Sequence, residues 1–407
     1  MRKLLLLLLI AQPMLAIDFN DPRAVVQAAL ETHPALARLR AETAAARERV
    51  APASARPNPM LMAGIQNKQI DLRDDEMMTM YMVGASQTFV RPAKLEARRN
   101  IAELEVIALE RQADAARAEI ERDVLLAWYE LAATDAELHT TGQVRELIDA
   151  VVAAARVRYE VGTSAQADVI RAQLEQSNLD HELLRLRGRR RAALAVLLPL
   201  LDLPATADVP AVTMPENTED LKIDASSVPP ADHPAIAALE SEVARQEKMI
   251  RLEQLEAKPD LGIEASYGMR PSQRDMFSVV ARVELPLRRD RTIESRVREA
   301  IAMRDAAKAR IDETRRSLTA AMARAVADHA QATEQMELHD KVLVPQARLA
   351  FDSTLAAYQT GKAPFDAILT TLTDYLRLHL QYYEFLTEHA QAVVTYDALR
   401  RGAGSTE

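Results

Sequence analysis

Two stretches that lie two hundred residues apart decide the fold: HPALARLR at residues 33–40 and HPAIAALE at residues 233–240. Downstream of each stretch the same landmarks return in the same order, namely Pro59 and Pro259, Pro92 and Pro286, and Tyr159-x-x-Gly162 and Tyr358-x-x-Gly361. Solenoid repeats run to roughly 20–50 residues, so this period is too long for one. The sequence predicts two similar structural halves, at residues 17–200 and 233–407, joined by a proline-rich connection at residues 201–232.

The N-terminus is predicted to be a secretory signal peptide over residues 1–16. It has a basic start, an apolar run at residues 4–10 that is shorter than a membrane span, and Ala16 at the cleavage site. An uncleaved anchor is the alternative. No later stretch approaches the roughly 20 apolar residues that a spanning helix needs, so we expect no transmembrane helix in the mature chain.

Composition excludes several functional classes. The chain contains no cysteine, which excludes disulfides, thiolate metal sites, a cysteine nucleophile and a lipidated N-terminal cysteine. Its formal net charge of -9 makes nucleic acid an unfavourable partner. The surplus of Ala, Leu, Glu and Arg over aromatic residues is typical of long helices and coiled coils.

Long helices dominate both halves. In the first half, helices are predicted from Pro22 to His33, from Ala35 to about Ala55, and from Pro92 to Pro199 with a single break at residues 161–164. The piece before that break, about 68 residues, would be on the order of 100 Å long, so it must run beside other helices as a coiled coil. The second half should repeat this plan with helices at residues 234–257, 293–358 and 365–401, interrupted near Pro345 and with Pro364 in the first turn of the last helix.

Two hairpins, at about residues 60–90 and 260–286, have the alternating pattern of strands. Strands are expected at residues 61–66, 79–89, 261–267 and 276–285, with a second-hairpin loop at residues 268–275, and Leu221 to Ile223 could add a short strand. The odd-numbered strand residues are predominantly apolar. A sheet resting on a core is the simple interpretation, but the helices must bury their own apolar stripes and leave nothing to cover this face.

An uncovered apolar face points to lipid. Each strand has about the 9–11 residues that cross a bilayer when tilted, and a membrane sheet must close because lipid cannot satisfy an open edge. Four strands cannot close alone, whereas a trimer would supply twelve. The residues expected to face lipid are Leu61, Ile65, Tyr81, Val83, Phe89, Phe277, Val279, Val283 and Leu285.

In these ordered landmarks the chain resembles the TolC-type outer-membrane efflux channels over nearly all of its mature length. The resemblance implies a mainly α fold with a small β part, in which long antiparallel coiled-coil helices form a trimeric periplasmic tunnel. Four strands per chain would contribute to a shared twelve-stranded barrel in the outer membrane. Asn67-Lys68-Gln69 and the methionines of residues 77–82 look most like the heavy-metal branch, which serves copper and silver or cobalt, zinc and cadmium.

The resemblance also implies partners and sites. The partners are a periplasmic adaptor and an inner-membrane pump of the resistance-nodulation-division type, and no cofactor is expected. The two helical turns, comprising Val161, Gly162, Thr163, Thr360, Gly361 and Lys362, would dock against the adaptor's helical hairpin. The periplasmic constriction would lie at this end of the helices.

Two carboxylates follow the turns, and both are candidates for a gate. Asp168 and Asp366 each lie in the first turn of a returning helix, where three copies of Asp366 could form a charged ring. Relatives often carry the ring carboxylates where this chain has Ala367 and Thr370, so Asp366 would replace them only in part. Capping of a helix N-terminus explains both aspartates equally well. The predicted gate residues are Asp366, Thr370, Tyr358 and Asp168.

Five methionines of the first hairpin share even-numbered positions and would face the lumen: Met60, Met62, Met78, Met80 and Met82. Thioethers are soft ligands suited to Cu(I) and Ag(I), so these side chains could guide a metal. The alternative is that they merely fill space beside neighbouring strands.

An enzyme is not expected. The sequence has no phosphate-binding glycine loop, no Gly-x-Ser-x-Gly elbow and no paired-histidine zinc helix. His33 and His233 occupy equivalent helix breaks, where a capping or turn role is predicted rather than metal binding. A periplasmic coiled-coil adaptor or scaffold is the competing function, since it explains the long helices and the signal peptide but not the two amphipathic hairpins.

Overall fold

The computed structural model describes residues 17–68, 79–215, 223, 226–271, 273–285 and 291–402. The helices are α1 Pro22–Thr32, α2 Pro34–Ala53, α3 Pro92–Glu160, α4 Gln166–Leu200, α5 Pro234–Glu256, α6 Ile293–Leu338, α7 Val344–Gln359 and α8 Phe365–Arg401. The strands are β1 Met60–Gln66, β2 Met80–Phe89, β3 Leu261–Met269 and β4 Met276–Val283. Among the described helices, none combines the length and apolar character required to span a bilayer.

The chain forms two compact units, and each takes segments from both predicted halves. The helical unit comprises the described residues within 1–37, 115–233 and 316–407. The strand unit comprises those within 38–114 and 234–315. The predicted short strand at Leu221 to Ile223 falls largely outside the described residues.

Buried residues recur every seven positions along the long helices, which is the spacing of a coiled coil. On α4 the buried side chains include Ala172, Leu179, Leu186 and Ala193. On α6 they include Ile293, Ala300 and Ala307 and, further along, Leu318, Ala325 and Ala332. The predicted coiled-coil packing is therefore confirmed by the positions of the buried residues.

The helix boundaries follow from capping residues and prolines. Asp21 caps α1 by accepting a 2.9 Å hydrogen bond from the Arg23 N–H. Pro364, predicted in the first turn of α8, is instead its N-cap, and the helix begins at Phe365. Pro199 was expected to end α4 but lies in its last turn, and the helix continues to Leu200.

The interruption predicted near Pro345 takes the form of a π-helical turn at His339–Leu343. Proline lacks an N–H and its ring clashes with the carbonyl of the preceding turn, so a regular α-helix cannot pass this position unchanged. In the wider turn, the Val344 N–H bonds to the His339 carbonyl, five residues back. This turn separates α6 from α7.

The core of the helical unit surrounds Trp128, which is fully buried. Its indole N–H donates a 2.7 Å hydrogen bond to the Phe19 carbonyl and so ties the start of the described chain to α3. The proline-rich connection also joins this core, because Val212 is buried and its N–H donates to Asp135, which pairs with Arg190.

The four strands form one antiparallel sheet in the order β1-β2-β3-β4. Its register aligns Leu61 with Ala85, Ala85 with Ala265, and Ala265 with Val279. Directly paired residues lie on the same face, so all odd-numbered strand residues share one face and all even-numbered residues share the other. The predicted two-faced sheet is confirmed.

Four strand boundaries differ from the prediction. β1 begins one residue earlier, at Met60, and β2 begins one residue later, at Met80. β3 continues through Gly268 and Met269, which were predicted to be loop, because Gly268 pairs with Met276 and Met269 pairs with Tyr81. β4 ends at Val283, two residues early. On the odd face, the exposed apolar side chains of the predicted set are Leu61, Ile65, Val83, Phe89, Phe277, Val279, Val283 and, just past the strand, Leu285, whereas Tyr81 is half-buried.

Candidate functional site

Two helical turns in the helical unit form the candidate site, and they have the same backbone geometry. In the first turn, between α3 and α4, the Thr163 N–H bonds to the Arg158 carbonyl at 2.8 Å and the Gly162 N–H to the Tyr159 carbonyl at 3.0 Å. In the second turn, between α7 and α8, Lys362 and Gly361 make the same pair of bonds to Ala357 and Tyr358. Both turns therefore end their helices with a Schellman motif.

Each motif depends on its glycine. Gly162 has a φ of 77° and Gly361 a φ of 78°, in the left-handed region that other residues avoid. The predicted docking residues, Val161, Gly162, Thr163, Thr360, Gly361 and Lys362, are all exposed. The two turns thus present rigid, accessible loops of matching shape.

Arg158 joins the two turns. Its guanidinium donates to the Tyr358 carbonyl and, at 3.4 Å, to the Thr163 carbonyl. It also lies 4.5 Å from the centre of the Tyr358 ring, a cation–π distance worth about 0.5–2 kcal/mol. Arg158 was not among the predicted site residues, although a basic residue in the last turn of a helix is a recognisable signal because it interacts favourably with the helix dipole.

The tyrosines of the two Tyr-x-x-Gly motifs have different environments. Tyr159 is exposed, whereas Tyr358 is buried and makes an edge contact with Phe365 at 5.8 Å between ring centres. Burial raises the pKa of Tyr358, Arg158 opposes this effect, and Asp168 adds to it. Tyr358, a predicted gate residue, packs in a buried cluster with Val144, Ile148, Val151, Ala155, Phe351, Ile368 and Leu372.

The two candidate gate carboxylates differ in exposure. Asp366 is exposed and forms an ion pair with Arg171 of α4, whose side chain is also exposed. Thr370 donates a 2.9 Å hydrogen bond to the Asp366 carbonyl. Asp168 is half-buried in the first turn of α4. The structure therefore brings Asp366 together with Arg171, and Arg171 lies one helical turn after Asp168 on α4.

The methionines of the first hairpin lie where the strand pattern predicted them. Met60, Met62, Met80 and Met82 occupy the even face of the sheet, and Met78 lies outside the described residues. The register adds Met276 to this face, because it pairs directly with Gly268, which pairs with Met82. Met276 was not among the predicted residues, because it joins the first-hairpin methionines only through the pairing of the two hairpins.

The two histidines at the helix breaks have structural roles. His33 Nδ1 accepts a hydrogen bond from the Ala35 N–H at 3.3 Å, and His233 Nε2 donates to the Leu399 carbonyl at 2.6 Å. Burial lowers the pKa of His233, and the bond to Leu399 opposes this effect. The predicted capping role is confirmed for His33, whereas the His233 side chain connects its helix break to α8. The described residues contain no group of three or more His, Asp or Glu side chains that could hold a metal ion.

The fold and the two-faced sheet define a class of protein. Duplicated helix–hairpin–helix halves, with one shared antiparallel sheet whose apolar face is exposed, are features of an outer-membrane channel subunit. Residues 25–201 and 230–399 match the model of the family described as outer membrane efflux protein, so the chain belongs to that family. The predicted family and fold class are confirmed. Members of this family are passive channels of the outer membrane and not enzymes.

Solved structures share the fold of this chain. The outer membrane protein VceC from Vibrio cholerae is 19% identical, with a TM-score of 0.76 over 94% of this chain and 96% of that one. CusC is 14% identical, with a TM-score of 0.75 over 95% and 92%. The open state of the MtrE channel from Neisseria gonorrhoeae is 15% identical, with a TM-score of 0.77 over 94% and 89%. A comparison with curated proteins gave no match.

Proposed function

We propose that three copies of this chain form the outer-membrane exit duct of a tripartite efflux system for heavy-metal cations. The observation that carries the proposal is the sheet register, which aligns the odd-numbered residues of all four strands into one exposed apolar face. The outer strands β1 and β4 each have one neighbour in the sheet of a single chain. Lipid cannot form hydrogen bonds with the free backbone N–H and C=O groups of such edges. Three chains together supply the twelve strands of a closed barrel.

The two turns are the proposed docking surface for a periplasmic adaptor, which would connect the duct to an inner-membrane pump of the resistance-nodulation-division type. Their exposed loops have matching Schellman geometry, so one kind of helical hairpin could bind both. Arg158 fixes the distance between the turns by bonding to both.

The same end of the helical unit is the proposed gate. The Asp366 carboxylate is exposed and forms a surface ion pair with Arg171, which is worth about 0–1 kcal/mol. Such a weak bond can break without disturbing the buried cluster behind it. Three copies of Asp366 near the channel axis would then attract cations, as carboxylate rings do in other pores.

Fractionation tests the duct. The full chain, produced with its N-terminal segment, should be found in the outer-membrane fraction and migrate on unheated gels as a trimer that boiling dissociates. A soluble periplasmic monomer would contradict the proposal and favour the adaptor or scaffold function. In a host that lacks its own metal-efflux duct but retains a matching pump and adaptor, the chain should raise tolerance to copper or silver. Raised tolerance to organic compounds alone would contradict the metal specificity.

A further inference from the structure

Methionine and glycine alternate in one row across the sheet. The register places Gly64 opposite Met82, Met82 opposite Gly268, and Gly268 opposite Met276. All four residues lie on the even face, which is the lumen face in the proposed duct. The row lies next to the hairpin loops, because β3 ends one residue after Gly268 and β4 begins at Met276.

A third methionine lies over the same glycine. A Cβ atom placed on Gly268 would be 2.2 Å from the sulfur of Met80 and 2.7 Å from its Cγ, so only glycine leaves room for this side chain. Gly268 is buried as a result. Met80 therefore lies over Gly268, and Met82 and Met276 are paired with the same glycine from the two neighbouring strands.

The arrangement is repeated one row further from the loops. A Cβ atom on Gly84 would lie 3.2 Å from the Cγ of Met62, so this methionine also lies over a glycine. Met60, by contrast, is opposite Ser86 and is strongly exposed. Glycines thus hold methionine side chains flat on the sheet near its loop end.

Methionine thioethers are soft, uncharged ligands that select monovalent soft cations over hard divalent ones. The charged residues on the even face within β3 and β4, Glu264 and Arg282, pair with each other at 3.1 Å. No cysteine is present in the chain to compete for a soft metal.

We propose that Met80, which lies over Gly268, and Met82 and Met276, which pair with Gly268 from either side, form a thioether site for Cu(I) or Ag(I) at the loop end of the duct. The lumenal placement of this site rests on the proposed function. Its ability to bind a metal depends only on the sheet. The methionine thioethers of this site would offer a soft cation several uncharged ligands near the exit of the duct.

Silver binding to the purified trimer tests the proposal. Equilibrium dialysis against silver nitrate in chloride-free buffer, with bound silver measured by mass spectrometry, should show saturable binding by the unmodified protein. The triple variant Met80→Leu, Met82→Leu, Met276→Leu should lose this binding, and volume-conserving Met-to-Leu changes should leave the fold intact. The matched control Met269→Leu changes an exposed methionine on the opposite face and should bind silver normally.

Gly268→Ala provides a second test, because it keeps every methionine but forces Met80 off the sheet. Loss of supporting contacts around metal ligands typically weakens affinity by about 10–100-fold, and we expect a loss in this range. Silver binding by the triple variant that equals that of the unmodified protein would overturn the proposal. Unchanged affinity in Gly268→Ala would overturn the role of the glycine, and with it the geometry of the site.

The same preparations separate this proposal from the proposed function. Each is checked for a heat-dissociable trimer and for conductance in planar bilayers. A conducting trimer that binds no silver refutes the thioether site and leaves the duct intact. A protein that neither forms trimers nor conducts refutes the duct, whatever its silver affinity.

Discussion

Replacing Val279 with arginine is the most direct test of which face of the sheet meets lipid. Val279 lies in the middle of β4, on the odd face, and is 62% exposed in the single chain. It continues a row through Ala265 and Ala85 to Leu61. The matched control is Ser278→Arg, which adds the same side chain one residue away on the even face.

The expected magnitudes follow from this placement. An arginine on the lipid face near the bilayer midplane costs about 2–4 kcal/mol, so three copies would destabilise a trimer by about 6–12 kcal/mol if their effects add. Ser278→Arg would lie in the water-filled lumen, where the cost should be close to zero. Glu264 is a diagonal neighbour on that face and can accept the new charge.

The assay is folding into lipid vesicles. The two variants and the unmodified chain are refolded from urea, and the fraction of heat-dissociable trimer is measured on unheated gels over a series of urea concentrations. Val279→Arg should fail to form trimers at urea concentrations that the other two proteins tolerate. Equal loss of trimer in both variants, or a larger loss in Ser278→Arg, would refute the assignment of the odd face to lipid.

Three further predictions concern the helical unit. In planar bilayers, Asp366→Asn should weaken block by multivalent cations added on the periplasmic side more than Asp168→Asn does, and unchanged block in both variants would make Asp366 a helix cap and not a gate. Gly361→Ala should lower the melting temperature, because a left-handed alanine costs about 1–2 kcal/mol per chain, and an unchanged temperature would contradict the Schellman assignment. Burial lowers the pKa of His233 below its usual 6.5, so the unfolded state binds the proton first as pH falls through 6.5 and the native state loses stability. His233→Gln should therefore show a smaller loss of stability on acidification, measured by thermal unfolding across that pH range, and equal slopes would contradict this argument.

The parts of the fold that depend on local backbone chemistry were predictable from the sequence. Pro34 and Pro92 begin helices, Gly162 and Gly361 end them, and the alternation of the strands gave the correct faces. The end of β3, which was predicted two residues too early, depends on pairing with the distant strand β2. Gly268 remains extended because β2 and β4 bond to either side of it, and glycine alone would suggest a loop.

The contacts of the candidate site were less predictable, because they join residues about two hundred positions apart. Arg158 reaches Tyr358, and Arg171 reaches Asp366, across the packed helices. Sequence similarity between the halves also obscured a difference in burial: Tyr159 and Tyr358 are equivalent in the repeat, but only Tyr358 is buried. The repeat predicted the positions of the two turns but not the side-chain contacts that stabilise each of them.

The π-helical turn at His339–Leu343 has a consequence for the second of these turns. A seven-residue spacing continued from the buried Met336 would reach positions 343, 350 and 357, whereas the buried aromatic residues are Phe351 and Tyr358, each one position later. One additional residue turns a helix by about 100°, so the wide turn rotates α7 about its own axis relative to α6. The heptad phase of α7 is thereby offset by one residue from that of α6. Adding or removing one residue in this short segment would turn Tyr358 out of the core and bring a different side of α7 inward. The packing of α6 would stay unchanged.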